Sequence, residues 1–259
     1  MKKSISFLTA FSISLFTFSA LCSSHSNAET TEPTEIVSLR SEYGKQFDNG
    51  DGTITSYINT IPIHYWKNNE WVEIDNSLIF DENEKYTNKC SSLNVTIPSK
   101  ISKINSAPID DSDIKLEYKG HNLYISLGTL LDENDYAEAT IIERDKAIIA
   151  RESIPREMED SFEKVVSSVK YDSLRDDTNL LLDVRPDSLY ESLVFDKGSV
   201  IPDTITYFVK IVDLSVKICD NNEIVFVDEN GNTVFSFSKP LLTDSTYESI
   251  SLPVNMRLR

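Results

Sequence analysis

Hydrophobic and polar residues alternate along much of the chain with the period of two that a half-buried β-strand requires. In IKLEYKGHNLYISL at 114–127, alternate apolar positions stand on both sides of a turn at 119–122, which predicts a hairpin with one buried and one hydrated face. The segments 204–218 and 223–237 alternate in the same way, the second around a turn at 228–231. The chain therefore reads as a series of antiparallel hairpins.

The same alternation assigns residues to the protein core. The expected core residues are Ile74, Val95, Leu116, Ile125, Val169, Val209, Val225 and Phe235. Trp66 and Trp71 lie five positions apart, so the pattern places one of them in the core without saying which.

One region interrupts the β pattern. Residues 132–164 are dense in Glu, Asp, Arg and Lys, and PREMEDSFEKVV, which begins at Pro155, predicts a short helix because proline suits the first turn and acidic residues follow it. We therefore predict a mainly β fold. Two β-rich, sandwich-like halves of antiparallel hairpins are joined by an acidic connector with a short helix.

The first residues are typical of an export signal. Lys2 and Lys3 precede an apolar run, and small residues end at Ala28, which predicts a signal peptide and a secreted or cell-wall-associated protein. A lipid anchor at Cys22 is the alternative, which Leu21 disfavours because a small residue usually precedes a lipidated cysteine. The predicted parts are a signal peptide (1–28), a linker (29–37), a first half (38–131), the connector (132–164), a second half (165–248) and a tail (249–259).

The charge of the chain excludes some partners. It has 25 basic and 42 acidic residues, and removal of Lys2 and Lys3 with the signal leaves 23 basic residues and a net charge of −19. Nucleic acid would be repelled, so we predict no nucleic-acid partner. Anionic membranes and anionic wall polymers are disfavoured for the same reason unless divalent cations bridge them, and we expect no membrane attachment after signal cleavage.

Two cysteines follow the signal, Cys90 and Cys219. Outside the cytoplasm they could form a disulfide, and two free thiols fit the sequence equally well. Neither belongs to a Cys-x-x-Cys pair, which argues against a zinc or redox site.

The sequence lacks a recognisable catalytic motif. His64 and His121 are not in a metal-binding spacing, no Gly-x-Ser-x-Gly motif occurs, and we interpret both histidines as structural. The acidic cluster Asp110, Asp111 and Asp113 is interpreted as a hydrated turn, with weak Ca²⁺ binding as the alternative. No catalytic residue and no other cofactor is predicted.

The stretch FDNGDGTITSYI at 47–58 looks at first like a calcium loop. With Gly52 at the sixth position, Phe47 falls on the first and Ile58 on the twelfth, and neither can supply the ligand that an EF-hand needs there. Asn-Gly and Asp-Gly between β-compatible segments instead predict a hairpin turn.

Several separated motifs occur together in this chain: SLRSEYGKQFDNGDGT, PIHY, WVEIDN, YTNK, NVTIP and, in the second half, EIVFVDENGNTVFSFSKPLLTDS. In this order they resemble the N-terminal module of secreted Gram-positive wall-associated proteins that carry RHS/YD repeats or DNRLRE domains. The resemblance spans about 38–245, and it departs at Tyr190-Glu191, where the family usually has Lys-Glu. It implies a stand-alone relative or a truncated form of a larger protein.

That family module is not catalytic, so the resemblance implies a non-enzymatic scaffold or adhesion module at the cell surface. The alternative is a carbohydrate- or cell-wall-binding module, whose ligand-facing aromatics would be Tyr57, Tyr65, Trp66 and Trp71. An extracellular glycoside hydrolase with paired carboxylates is a further alternative. The expected partners are wall polysaccharide or a surface protein, and the sequence does not indicate an oligomeric state.

Overall fold

The computed structural model describes residues 32–102, 113–127, 131, 136–142, 156–174, 178–196, 198–199, 201–220, 223–242 and 256–257. Its strands, numbered along the chain, are β1 (Thr34–Glu35), β2 (Gly44–Asp48), β3 (Ile54–Ile58), β4 (His64–Lys67), β5 (Glu70–Glu73), β6 (Asp75–Phe80), β7 (Lys85–Cys90), β8 (Leu93–Pro98), β9 (Lys100–Ser102), β10 (Ile114–Tyr118), β11 (His121–Ser126), β12 (Tyr136–Ile142), β13 (Ser167–Tyr171), β14 (Thr178–Val184), β15 (Leu189–Phe195), β16 (Phe208–Ile211), β17 (Ser215–Ile218), β18 (Ile224–Val227) and β19 (Thr233–Phe237). The helices are α1 (Glu159–Val165) and two single 3-10 turns, Val37–Leu39 and Arg156–Met158.

The strands confirm the predicted mainly β class with antiparallel pairing and one short helix. The sheets have the strand orders β16-β11-β10-β8-β7-β6, β15-β14-β13-β12-β9, β1-β2-β3, β17-β18-β19 and β4-β5. The first two are the largest, and every pairing within them is antiparallel.

One hydrophobic core is shared by the two largest sheets and the β17-β18-β19 sheet. Val95 and Leu123 of the first sheet are fully buried, as are Val169 and Leu182 of the second, and Phe226 of the third is 3% exposed. Along β8 and β11 these residues have exposed or half-buried neighbours, whereas in β13, β14 and β18 one neighbour of each is buried as well. Burial of their apolar surface is the main stabilising contribution to the fold.

The predicted core is mostly correct. Ile74, Val95, Leu116, Ile125, Val169 and Phe235 are buried. Val209 and Val225 are only half-buried. For Val225 the reason is that Ile224 and Phe226 are the β18 residues that turn inward, opposite Phe237 and Phe235. A shift of one residue along a strand moves a side chain to the other face. Neither Trp66 nor Trp71 is buried, so the prediction of one core tryptophan is wrong.

The predicted hairpins are present. The one at 114–127 is tighter than expected, since Tyr118 pairs with His121 and only two residues form the turn. The apolar run at 204–218 divides at Asp213, which has a positive φ of 55° and lies between β16 and β17. As a result β16 joins β11 in the six-stranded sheet, while β17 pairs with β18 in another sheet.

The segment 132–164 contains more regular structure than a connector. Its strand β12 lies between β13 and β9 in the five-stranded sheet. The predicted short helix follows as α1. Because β9 precedes this segment and β16 follows it, each large sheet contains strands from both predicted halves, and Pro33–Arg259 form one compact unit.

A buried asparagine pair connects α1 to the six-stranded sheet. The Asn76 amide donates to the carbonyl of Val165 at the end of α1 at 2.7 Å, and Asn88 donates to Asn76 at 2.8 Å. Asn88 also accepts the Val95 backbone N–H at 2.8 Å and donates to the Leu93 carbonyl at 2.9 Å. The pairing of β7 with β8 ends at Thr87 and Thr96, and beyond it the Asn88 side chain bonds backbone groups of β8 directly.

The stretch at 47–58 is a hairpin turn, as predicted. Gly50 and Gly52 have positive φ values of 74° and 87°, a conformation that glycine adopts without strain. Asp48 and Asp51 accept backbone N–H groups of the turn, at 2.8 and 2.9 Å. The carboxylates therefore hold the turn together.

The predicted signal peptide, with Cys22, lies outside the described residues. Within the described part of the chain, no helix has the length and hydrophobicity needed to cross a membrane.

Candidate functional site

The β4–β5 hairpin carries both tryptophans of the chain. Its turn consists of Asn68 and Asn69, whose φ values of 51° and 68° match the two-residue turn that Asn-Asn favours. The register pairs Trp66 with Trp71. Cross-strand partners lie on the same face of a sheet, so both indoles project from one face of the hairpin.

The two indoles form an aromatic pair open to solvent. Their ring centroids are 5.1 Å apart with an interplanar angle of 69°, an edge-to-face contact. Trp66 is 56% exposed, and Trp71 is half-buried. An exposed aromatic pair on a rigid hairpin is a candidate ligand-binding surface, which we call the tryptophan face.

The other two predicted ligand-facing aromatics do not join this face. Tyr57 lies on β3, packs edge-to-face on Phe47 at 5.7 Å and is 3.4 Å from Glu157. Tyr65 projects from the opposite face of the β4–β5 hairpin, where its hydroxyl lies 3.1 Å from the Cys90 sulfur. Burial, together with the contact with Cys90, raises the pKa of Tyr65 to about 12.

The tryptophan face continues into a charged cluster made of Glu35, Arg40, Lys45, His64 and Glu73. His64 pairs with Glu73 two residues along the hairpin from the tryptophan pair, so it lies on the same face. Arg40 binds both oxygens of Glu35, at 2.6 and 3.0 Å, and reaches Glu73 Oε1 at 3.2 Å. The Lys45 ammonium is 3.4 Å from Glu35 and also donates to Glu73 Oε1. Within the cluster, the negative charges of Glu35 and Glu73 are balanced by the positive charges of Arg40 and Lys45.

His64 is fully buried beside these charges. Its Nδ1 donates to the carbonyl of Ser41 at 2.7 Å, and Nε2 has no hydrogen-bond partner among the described residues. Burial lowers the pKa of His64 more than the bond to Ser41 raises it, and the charges of Arg40 and Lys45 lower it further. The imidazole is therefore neutral at pH 7.

The cluster contains side chains that could bind a metal ion, but cationic side chains already occupy its carboxylates. One His64 nitrogen and one oxygen from each of Glu35 and Glu73 lie within 4.8 Å of one another. Such ligands suit a divalent cation, but Lys45 and Arg40 already donate to both carboxylates. The Lys45 side chain is only 6% exposed, so a metal would have to displace a buried ammonium. We assign the cluster as an ion-pair network.

Glu35 does not have the environment of a glycosidase acid. A glycosidase needs one carboxylic acid whose pKa is raised so that it can donate a proton. Burial alone would raise the pKa of Glu35, but the hydrogen bond from Arg40 and the charge of Lys45 outweigh it and lower the pKa. Glu35 is thus ionised at neutral pH and cannot act as the acid.

The remaining predicted site residues are dispersed. Asp113 is buried next to β10, whereas Asp110 and Asp111 lie outside the described residues. Cys90 and Cys219 are free thiols in the structure, and both are half-buried.

Glu35, Arg40, Lys45 and Glu73 were not singled out by the sequence reasoning. One signal could have found part of the cluster. The Asn-Asn turn in HYWKNNEWVE fixes the pairing of the hairpin, and that pairing places His64 and Glu73 on the face of the two tryptophans. No local sequence signal predicts that β1 and β2 contribute Glu35 and Lys45 to the cluster, because this depends on how separate sheets pack.

Comparison of the chain with protein-family models, with characterised proteins and with solved structures gave no match.

Proposed function

We propose that the chain is a non-enzymatic, secreted or cell-surface module that serves in adhesion or as a scaffold at the bacterial cell wall. The observation that supports this function is the tryptophan face, where Trp66 is 56% exposed in a contact with Trp71. Large aromatic side chains exposed on a rigid element are characteristic of binding surfaces. The resemblance to wall-associated proteins supplies the location, and wall polysaccharide or a surface protein is the proposed partner.

A carbohydrate- or wall-binding module is the second candidate function, and the same tryptophan pair favours it. A glycoside hydrolase receives less support, because Arg40 and Lys45 keep Glu35 ionised and hold Glu73 Oε1. In this proposal the chain binds its partner without cleaving it.

A sedimentation assay tests the proposal. The mature chain is mixed with insoluble Gram-positive cell walls, and a β-rich protein of similar negative charge serves as the control for nonspecific adsorption. Saturable retention, without release of reducing sugar ends, is the expected result. Retention equal to that of the control protein would contradict the proposed function, and release of reducing ends would contradict the non-enzymatic assignment.

Export is tested separately. N-terminal sequencing of the protein collected from culture medium or from the wall fraction should begin at Glu29, directly after the proposed signal peptide. An intact N-terminus in the cytoplasm would contradict the proposed location.

A further inference from the structure

We infer that the tryptophan face binds a neutral glycan, with Glu73 as the hydrogen-bond acceptor that recognises its hydroxyl groups. This inference rests on the proposed function, because it names the ligand and a specificity-determining residue of the same surface. It draws on the aromatic pair, on a carboxylate oxygen beside it that bonds no other described residue, and on the charge of the molecule.

The aromatic pair supplies a stacking surface. The Trp66 indole is more than half exposed, while its edge-to-face contact with Trp71 and the two-residue turn restrict its movement. The C–H face of a pyranose ring is apolar and flat enough to pack on an indole, and binding to a restrained side chain loses little conformational entropy.

Glu73 supplies the polar contact. Its hydrogen bonds and ion pairs in the described part of the chain, from Arg40 and Lys45, all end on Oε1. Its side chain is 36% exposed, which leaves Oε2 able to accept. Two residues of strand separate Glu73 from Trp71, about 7 Å, so a sugar stacked on the tryptophans brings neighbouring hydroxyls within reach of this oxygen.

The charges on this surface select a neutral ligand. Arg40 and Lys45 are occupied by Glu35 and Glu73, so the cluster has no unpaired cation to offer an anion. The chain as a whole has a net charge of −17, which repels polyanions. A ligand that donates hydrogen bonds and has no negative charge fits both facts, and a glycan rich in hydroxyls is such a ligand.

Isothermal titration calorimetry tests the inference with three probes: neutral hexasaccharides of β-1,4-linked glucose and of β-1,4-linked N-acetylglucosamine, and the anionic polymer polygalacturonate. We expect the mature chain to bind at least one neutral hexasaccharide and not polygalacturonate. Trp66→Ala should weaken that binding at least about tenfold, and Glu73→Gln should weaken it about tenfold, the usual effect of losing a hydrogen bond to a charged acceptor.

Glu70→Gln is the matched control. Glu70 lies on the same strand as Glu73 and is exposed, and by strand alternation it projects from the face opposite the two tryptophans. Its affinity for the glycan should stay within about twofold of the wild type. Circular dichroism melts of all variants separate a loss of binding from a loss of fold.

Each other outcome overturns the inference. Absence of binding to both neutral hexasaccharides, preference for polygalacturonate, or full affinity of a folded Glu73→Gln variant would do so.

If the chain binds cell walls but protease treatment of the walls abolishes retention, the partner is a protein, and the inference fails while the proposed function stands. If the chain fails to bind walls at all, the proposed function fails with it.

Discussion

At the scale of single residues, His64 has an environment very different from solution. It is completely buried, its Nδ1 is bonded to Ser41, and Arg40 and Lys45 lie close enough to lower its pKa. A protonated imidazole there would add a third positive charge to two carboxylates that are already neutralised. The folded state therefore disfavours protonation of His64.

This environment predicts a pH-dependent stability. The pKa of His64 is lower in the folded than in the unfolded chain, so the unfolded chain binds more protons and the free energy of unfolding falls as the pH drops below about 6.5. The melting temperature of the wild type should decrease between pH 7.5 and 5.5, and His64→Gln should reduce this dependence. Equal pH profiles for wild type and His64→Gln would contradict the account.

The tryptophans show what a sequence pattern can and cannot determine for a residue. Hydrophobicity placed one of them in the core, whereas Trp66 is exposed and Trp71 half-buried. An aromatic residue on a strand can equally face the core or a ligand, because periodicity determines which residues share a face and not which face is covered. Their common face is predictable from the Asn-Asn turn, and its exposure is not.

At the scale of elements, the buried amides of Asn76 and Asn88 join three strands and a helix. Asn88 satisfies the Val95 N–H and the Leu93 carbonyl, and Asn76 satisfies the last carbonyl of α1. A buried donor or acceptor without a partner costs about 1–3 kcal/mol. The pair therefore fixes the position of α1 against β6.

Removal of one amide should be costly. Asn88→Ala removes the hydrogen bonds that Asn88 makes to Val95 N–H, to the Leu93 carbonyl and to Asn76 Oδ1, so we expect a loss of about 2–3 kcal/mol in the free energy of unfolding, measured by urea denaturation. Asn94→Ala on β8, where the side chain is exposed, is the matched control and should change stability by less than about 0.5 kcal/mol. Similar losses for both variants would show that the network does not stabilise the fold.

Hairpins were the elements best predicted from the sequence. Turn residues and alternation identify the hairpins at 47–58 and 114–127 because both signals are local. The strand β12 was assigned to a charged connector, since its sequence YAEATII lies among charged residues and its pairing with β9 and β13 is not local. Local chemistry therefore predicted the hairpins but not their arrangement into sheets.

At the scale of the whole molecule, the two predicted halves share sheets. Strand β16 completes the six-stranded sheet beside β11, and β9 lies in the same sheet as β13, β14 and β15. Unfolding of either half would remove paired strands from the other. We therefore expect the folded unit to unfold as a whole.

This interleaving predicts a single transition. Both tryptophans are in the first half, so their fluorescence reports on that half, whereas far-ultraviolet circular dichroism reports on all strands. The two signals should give the same midpoint in urea, as a cooperative unit requires. Separate midpoints would show that the halves are independent domains.

The central claim is that the tryptophan face is the binding surface, and the composition of the chain allows a direct test. Trp66 and Trp71 are the only tryptophans, so intrinsic fluorescence on excitation at about 295 nm reports on this surface alone. Titration of the mature chain with solubilised neutral wall polysaccharide should produce a saturable change in emission, with a midpoint that matches retention on walls. Retention on walls without any change in tryptophan emission would contradict the claim.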